Sequence, residues 1–207
     1  MKQRLSPDTY RRIQDGVRAR LEAGGFDGIL VDDHHHVAYL TGFFHFPNER
    51  PAAVWLTATE CLMLVPALEA DHAQKQNTVA EFVVYPEFPG VEDAFSILLG
   101  QVRPTGRIAY SPATPAGRVE KFKTYAPDAT WVMSEVLEAA RLLKSPEEIA
   151  LHREAARISD AMVEAGLKLI RDAIASGSPL PTEAELASHV TRFGVSSMYA
   201  EIGRAHV

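Results

Sequence analysis

The chain has 207 residues, of which 46% are hydrophobic and 23% charged, a composition typical of an ordinary globular protein. Its formal net charge is −6, and Lys and Arg are scattered along the sequence rather than clustered. This distribution excludes the basic face that nucleic-acid binding requires.

Neither a membrane span nor a disulfide is expected. No apolar stretch approaches the roughly 20 residues that cross a bilayer, and the first six residues lack the apolar core of a signal peptide. Cys61 is the single cysteine, which excludes an internal disulfide and favours a reducing compartment. We therefore expect a cytoplasmic protein with no nucleic-acid or membrane partner.

The first predicted elements are a helix and a buried strand. Ser6, Pro7 and Asp8 supply a capping hydroxyl, a proline at the first helical position and an acid near the positive end of the helix dipole. Apolar residues then recur at helical spacing until the pair 24–25, two glycines that are expected to end the helix. The wholly apolar segment 28–31 predicts a short strand within a covered sheet.

Strands and helices alternate along the next hundred residues. Strands are predicted at 52–56, 61–65, 82–85, 108–110 and 130–132, and helices at 67–74, 91–99 and 115–125. The first two of these strands are close enough in sequence to form a hairpin. The alternation predicts an α/β domain with a mixed sheet flanked by helices.

The pattern changes at Lys144. The segment 145–148 is a complete capping box, and a helical apolar stripe without proline continues to about Ser176, which predicts one unusually long helix. A second capping box at 182–185 predicts another helix that ends at Gly194. We expect one domain at 1–143 and a second, incomplete one at 144–200.

Three motifs in order resemble one family. The segment 37–43, Val-Ala-Tyr-Leu-Thr-Gly-Phe, is similar to a segment of the N-terminal domains of the creatinase, prolidase and aminopeptidase P family. The segment 48–53 resembles that family's Arg-Pro entry into its next strand, and 141–149 resembles its Arg-x-x-Lys-Ser-x-x-Glu-Ile junction. The resemblance implies a creatinase N-terminal-like domain followed by the first two helices of an incomplete pita-bread domain.

The same resemblance implies a metal-dependent hydrolase of C–N bonds, with an Xaa-Pro aminopeptidase or dipeptidase as the first choice. Such enzymes hold two divalent ions, here Mn, Co or Zn, through two aspartates, a histidine and two glutamates that lie downstream of the pita-bread domain's first two helices. No catalytic residue or metal ligand is therefore assigned in this chain, which is expected to be inactive alone. The alternatives are a creatinase- or ectoine hydrolase-like amide hydrolase and a non-catalytic binding module of the same fold.

Arg50 and His45 are the candidate substrate-binding residues. In creatinase-like members, an arginine before this proline reaches the neighbouring subunit's active site and holds the substrate carboxylate. A homodimer acting on a small peptide or amide is thus implied, and a guanidinium suits the role because it forms two parallel bonds to a carboxylate. The alternative for Arg50 is pairing with Glu49 or solvent. His45 would line the pocket if it faces the subunit interface.

Two further sequence features are a run of possible metal ligands and a pair of aromatic residues at helical spacing. The run 32–36, Asp-Asp-His-His-His, has metal-binding residue types, but adjacent residues after a strand point in different directions, which favours a polar turn. Tyr39 and Phe43, four positions apart, are expected to pack a short helix onto the sheet.

The last residues, 201–207, fit no predicted element. One encoding of them matches the start of a common sequencing-library adapter apart from its first base, so we expect a non-native tail. The nucleotide sequence would test this expectation, because other codons would remove it.

Overall fold

A six-stranded sheet forms the centre of the larger of two compact units in the chain. The structure is a computed structural model that describes residues 4–87 and 92–202, with side chains as far as residue 197. The N-terminal unit comprises Leu5–Leu143, and the C-terminal unit is formed mainly by the chain from Lys144 onward.

Strands and helices alternate through the N-terminal unit. The strands are β1 (Gly28–Val31), β2 (Ala53–Thr57), β3 (Cys61–Pro66), β4 (Glu81–Tyr85), β5 (Gly106–Tyr110) and β6 (Ala129–Met133). The helices are α1 (Pro7–Ala23), α2 (His34–Thr41), α3 (Ala67–Lys75), α4 (Ala94–Val102), α5 (Ala116–Tyr125) and α6 (Val136–Leu142).

The sheet is mixed, with strand order β4-β3-β2-β1-β5-β6. The hairpin β2–β3 is antiparallel, β1 pairs antiparallel with β2, and the outer pairs β3–β4, β1–β5 and β5–β6 are parallel. The α/β class and the mixed sheet flanked by helices are thereby confirmed. This topology brings the C-terminal ends of β1, β3, β4 and β5 and the start of β2 to one edge of the sheet.

Two hydrophobic clusters cover the two faces of the sheet. On one face, residues of α1, α2 and α6 pack on alternate residues of the central strands, such as Ile29 and Val31. On the other face, Phe95 of α4 and Phe122 of α5 pack on Leu30 and its neighbours. Burial on both sides explains why β1 is apolar at every position.

Most predicted elements of this unit form within a few residues of their expected bounds. The helix capped by Ser6 ends where expected, and Gly25 beyond it has a positive φ of 66°. The helix predicted at 91–99 instead spans Ala94–Val102, because Asp93 caps it through a bond from the Phe95 N–H. Its predicted first residue, Val91, lies outside the described residues.

Three expectations for this unit need correction. The His34–His36 segment is the first turn of α2, capped by the Asp33 carboxylate, and not a polar turn after a strand. Phe43 follows the left-handed Gly42 that ends α2, so Phe43 does not share a helix with Tyr39. The helix α6 was not predicted, since its seven residues carry too short a pattern to reveal a period.

The C-terminal unit consists of two helices, α7 (Pro146–Ser176) and α8 (Glu183–Ile202). Ser145 and Glu148 form the predicted capping box, and Gly177 ends α7 in the left-handed conformation. Thr182 and Glu185 form the second reciprocal cap. In the described part of the chain, no helix combines the length and apolar character that crossing a bilayer requires.

The prediction that Gly194 ends the second helix is wrong. Helix α8 continues through Gly194 to Ile202, and a Cβ built on Gly194 would lie 2.5 Å from the Met162 sulfur. The glycine therefore permits close approach of α7 and α8 rather than a helix stop. Residues 201–202 are helical, and the rest of the expected foreign tail lies outside the described residues.

Candidate substrate-contact site around Arg50

Arg50 lies in the loop between α2 and β2, at the sheet edge where several strand ends meet. The Asn48 side-chain oxygen accepts the Arg50 backbone N–H at 2.8 Å. The Tyr85 hydroxyl, at the end of β4, donates to the Pro51 carbonyl at 3.0 Å. Pro51 also restricts Arg50 to extended backbone conformations. Hydrogen bonds therefore fix the backbone of this loop at the Arg50 N–H and at the Pro51 carbonyl.

The Arg50 guanidinium has no close partner. Its side chain is 31% exposed, and its nearest carboxylates are Glu49 at 3.7 Å and Glu87 at 4.0 Å. Both distances exceed a hydrogen bond. Among residues 4–87 and 92–197, no side-chain hydrogen bond from Arg50 is formed. The loose pairing with Glu49 agrees with the alternative from sequence, but it leaves the guanidinium donors available to a ligand.

Arg50 lines two neighbouring pockets. The first, of about 200 Å³, lies at the ends of β1 and β5, where its charged and titratable lining comprises Asp32, Asp33, His34, His45, Arg50 and Arg118. The second, of about 380 Å³, extends toward the end of β4. Ligands of α/β sheets commonly bind in a crevice at the C-terminal ends of the strands, where the strand order reverses, as it does here between β1 and β5.

The base of the first pocket is an ion pair. The Asp32 side chain is only 1% exposed, bonds to the Arg118 guanidinium, and accepts the Thr114 hydroxyl at 2.8 Å. The Arg118 guanidinium also lies 5.3 Å from the centre of the Phe95 ring. These contacts join β1 to the chain after β5, so Asp32 is a structural carboxylate of the pocket.

His45 lies in the same pocket and is neutral at physiological pH. Its ring stacks on Phe43, with centroids 4.9 Å apart and planes at 9°. Burial lowers the pKa of His45, and His34 and His72 lower it further, whereas Glu69 opposes them. Its Nδ1 is buried and has no hydrogen-bond partner among the described residues. The structure thus brings His45 and Arg50 to one pocket.

The Asp-Asp-His-His-His segment does not form a metal site. Asp32 is bound by Arg118, Asp33 accepts the backbone N–H groups of His35 and His36, and His36 is buried away from solvent. Across residues 4–87 and 92–202, no three His, Cys, Asp or Glu side chains converge as ligands. The described residues therefore offer no ligand set for the implied pair of metal ions.

A separate buried cluster surrounds His36. Its Nε2 lies 3.6 Å from the Glu138 carboxylate on α6, which accepts the Ser111 hydroxyl at 2.6 Å. Burial lowers the pKa of His36, Arg141 and His35 lower it further, and Glu138 and Asp33 oppose them. The pKa of His36 is therefore lower in the folded chain than in the unfolded chain, so the folded state binds this proton more weakly.

Acidification is expected to destabilise the N-terminal unit through His36. The stabilisation is present above the ordinary His pKa of 6.5 and is lost as the pH falls below it. Urea unfolding between about pH 7.5 and 5.5 should show a decrease of up to ~1.4 kcal/mol per pH unit, which His36→Gln reduces. The exposed His152 of α7 provides the control, since it is not among the groups that shift the pKa of His36, and His152→Gln should leave the slope unchanged. Equal slopes for His36→Gln and the wild type would contradict the assignment.

Several residues of the site were not identified from the sequence. Arg118, Thr114, Tyr85 and Glu87 come from segments far from Arg50 in sequence, and no local motif links them. The only available signal was the position of Asp32 directly after a strand, because polar side chains there face the ligand edge of an α/β sheet.

Comparison with known proteins supports the resemblance. Residues 12–143 match the family model described as the Creatinase/Prolidase N-terminal domain. The chain is 26% identical over 194 residues to the "Putative dipeptidase YkvY" of Bacillus subtilis (strain 168), covering 90% of this chain and 52% of that protein. The chain thus spans about half the length of this curated relative.

Solved structures share the fold. An Xaa-Pro dipeptidase from Bacillus anthracis matches with a TM-score of 0.72 and 21% identity, over 91% of this chain and 49% of that chain. The prolidase from Pyrococcus horikoshii OT3 matches with a TM-score of 0.73 and 17% identity, over 90% of this chain and 49% of that chain. Since the family model covers well over half of the residues, the chain belongs to the Creatinase/Prolidase N-terminal domain family.

Proposed function

We propose that this chain is the N-terminal part of a cytoplasmic, metal-dependent hydrolase that cleaves C–N bonds in Xaa-Pro dipeptides or short peptides. In a homodimer, Arg50 would hold the substrate carboxylate in the active site of the partner subunit, with His45 beside it. Two divalent ions, Mn, Co or Zn, would be bound by a further region of the full-length protein. That region would correspond to the part of the relatives that this chain does not match.

The availability of the Arg50 guanidinium supports this proposal most directly. The guanidinium is partly exposed, lines two pockets, and has its nearest carboxylates at 3.7 and 4.0 Å. Arg118, the other arginine that lines these pockets, is paired with Asp32. The names of the relatives, dipeptidase and Xaa-Pro dipeptidase, support the choice of substrate.

The test uses the full-length enzyme with substitutions of Arg50. Arg50→Ala should raise KM for a Gly-Pro dipeptide by roughly tenfold to a hundredfold, because a charge-assisted bidentate contact is lost. It should change KM little for the same dipeptide with an amidated C-terminus. Arg50→Lys should recover part of the effect, since lysine keeps the charge but not the fork. An unchanged KM for the free acid would contradict the role of Arg50.

The 207-residue chain should show no peptidase activity by itself. Purified chain incubated with Mn²⁺ or Co²⁺ and a proline dipeptide is expected to release no proline, since the described residues provide no converging ligand set. Turnover above a metal-only control would refute this expectation. In the full-length protein, cleavage of a non-peptide amide instead of dipeptides would favour the creatinase-like alternative, and absence of all turnover would favour the binding module.

A further inference from the structure

The end of β4 contributes two side chains to the environment of Arg50. Arg50 lies outside any regular element, so its position depends on contacts from its surroundings. Within the loop, Asn48 fixes the Arg50 backbone N–H. From outside the loop, Tyr85 and Glu87 approach the same turn. They do so through different groups, one a hydroxyl and the other a carboxylate.

Tyr85 fixes the backbone directly after Arg50. The residue is 5% exposed, with its ring inside the hydrophobic cluster that includes Leu64 and Val83. Its hydroxyl donates to the Pro51 carbonyl at 3.0 Å. Burial, and secondarily the charge of Glu87, raises the pKa of Tyr85, so the hydroxyl remains a donor throughout the physiological pH range. The bond therefore anchors the Arg50–Pro51 turn to the core.

Glu87 places a negative charge beside Arg50 but forms no hydrogen bond with the Arg50 guanidinium. Its side chain is 12% exposed, and its carboxylate accepts the Leu68 backbone N–H at 3.2 Å. The same oxygen, Oε1, lies 4.0 Å from Arg50 Nε. A carboxylate at this distance offsets part of the guanidinium charge but leaves its N–H groups unbonded. Glu49 is also near, at 3.7 Å, but its side chain is 79% exposed, so solvent screens its charge more than that of Glu87. A ligand at Arg50 therefore experiences mainly the charges of Arg50 and Glu87.

We propose that the end of β4 controls ligand binding by Arg50: Tyr85 is a positioning residue for the guanidinium, and Glu87 restricts the ligand to a single negative charge. The inference rests on the proposed role of Arg50 as a carboxylate-binding residue. A monocarboxylate can bond the free N–H groups of the Arg50 guanidinium, whereas the second charge of a dianion is repelled by Glu87. A peptide C-terminus carries one negative charge and fits this selection.

The test measures protection of Arg50 from phenylglyoxal in the 207-residue chain by peptide mass spectrometry. Acetate and malonate compete with the reagent at mildly alkaline pH, where they carry one and two negative charges. Tyr85→Phe should weaken protection by both anions about three- to tenfold, because the backbone that carries Arg50 loses its anchor at Pro51. Glu87→Gln should strengthen protection by malonate at least about threefold more than protection by acetate.

Matched controls separate this effect from general destabilisation. Tyr125→Phe removes a hydroxyl at the end of α5, and Glu81→Gln removes an exposed charge at the opposite end of β4. Both should leave protection unchanged, and all variants should keep the wild-type thermal midpoint within about 3 °C.

Three results would overturn the inference. These are unchanged protection in Tyr85→Phe, an equal response of the two anions in Glu87→Gln, and no protection of Arg50 by excess acetate in the wild type. The proposed function fails separately, through an unchanged KM in the full-length Arg50→Ala enzyme. The first two results can occur while Arg50 still binds the substrate carboxylate.

Discussion

Replacing Gly42 with alanine is expected to lower the free energy of unfolding of the N-terminal unit by about 2–4 kcal/mol. Gly42 ends α2 with φ of 78°, a conformation that costs an L-residue with a side chain roughly 1–2 kcal/mol. A Cβ at this position would also lie 2.7 Å from a ring carbon of Tyr10. Because the Tyr10 ring is buried in α1, it cannot move aside without disturbing the core.

A second glycine provides the control for this substitution. Gly16 lies within α1, and a Cβ there meets no heavy atom within 4 Å. Gly16→Ala should therefore stabilise the unit by about 0.5–1 kcal/mol, since alanine is the better helix former. Urea denaturation followed by tryptophan fluorescence measures both changes. Equal stability of the two variants would contradict the role assigned to Gly42.

Replacing Asp32 with alanine is the other change with a large expected effect, about 3 kcal/mol of lost stability. The substitution removes the counter-ion of Arg118 and the acceptor of the Thr114 hydroxyl in one step. Arg118 keeps partial access to solvent, at 32% exposure, which places the cost at the lower end of the range for broken buried pairs. The first pocket would lose its base at the same time.

A double-mutant cycle isolates the contribution of this pair. The variant Asp32→Ala/Arg118→Ala should be less destabilised than the sum of the two single variants, because it leaves no unpaired charge. Glu120→Ala, also on α5, breaks only the exposed pair with Lys123 and should change stability by less than about 0.5 kcal/mol. Simple additivity in the cycle would show that Asp32 and Arg118 act independently.

Sequence patterns predict most helices and strands of this fold because the residues that start, end or bury each element lie within that element or beside it. The capping residues Ser6 and Ser145 and the apolar segment at β1 each act within one or two turns or one strand, so the sequence shows them directly. Gly194 was misinterpreted for the same reason. Only a contact from Met162, on another helix, distinguishes a glycine that permits close packing from one that ends a helix.

The candidate site was harder to predict from the sequence than the fold. The family resemblance identified Arg50, and His45 became a candidate because it lies near Arg50 in sequence. The structure places both at one pocket. Tyr85, which bonds the Pro51 carbonyl, and Glu87, 4.0 Å from the Arg50 guanidinium, are 35 or more positions away in sequence. They approach Arg50 only because β4 ends at the same sheet edge. Strand order is set by long-range pairing, which no local pattern contains.

The strand order also determines how this sheet can assemble as the chain is synthesised. The strands β1, β2 and β3 are consecutive and antiparallel, so they can pair soon after they leave the ribosome. The other side of β1 pairs with β5, where Gly28 is opposite Ile108, about 80 positions later in the sequence. This pairing carries an added loop-closure entropy cost. Until then an apolar strand presents an open edge, and nascent chains arrested before β5 should require a chaperone or aggregate.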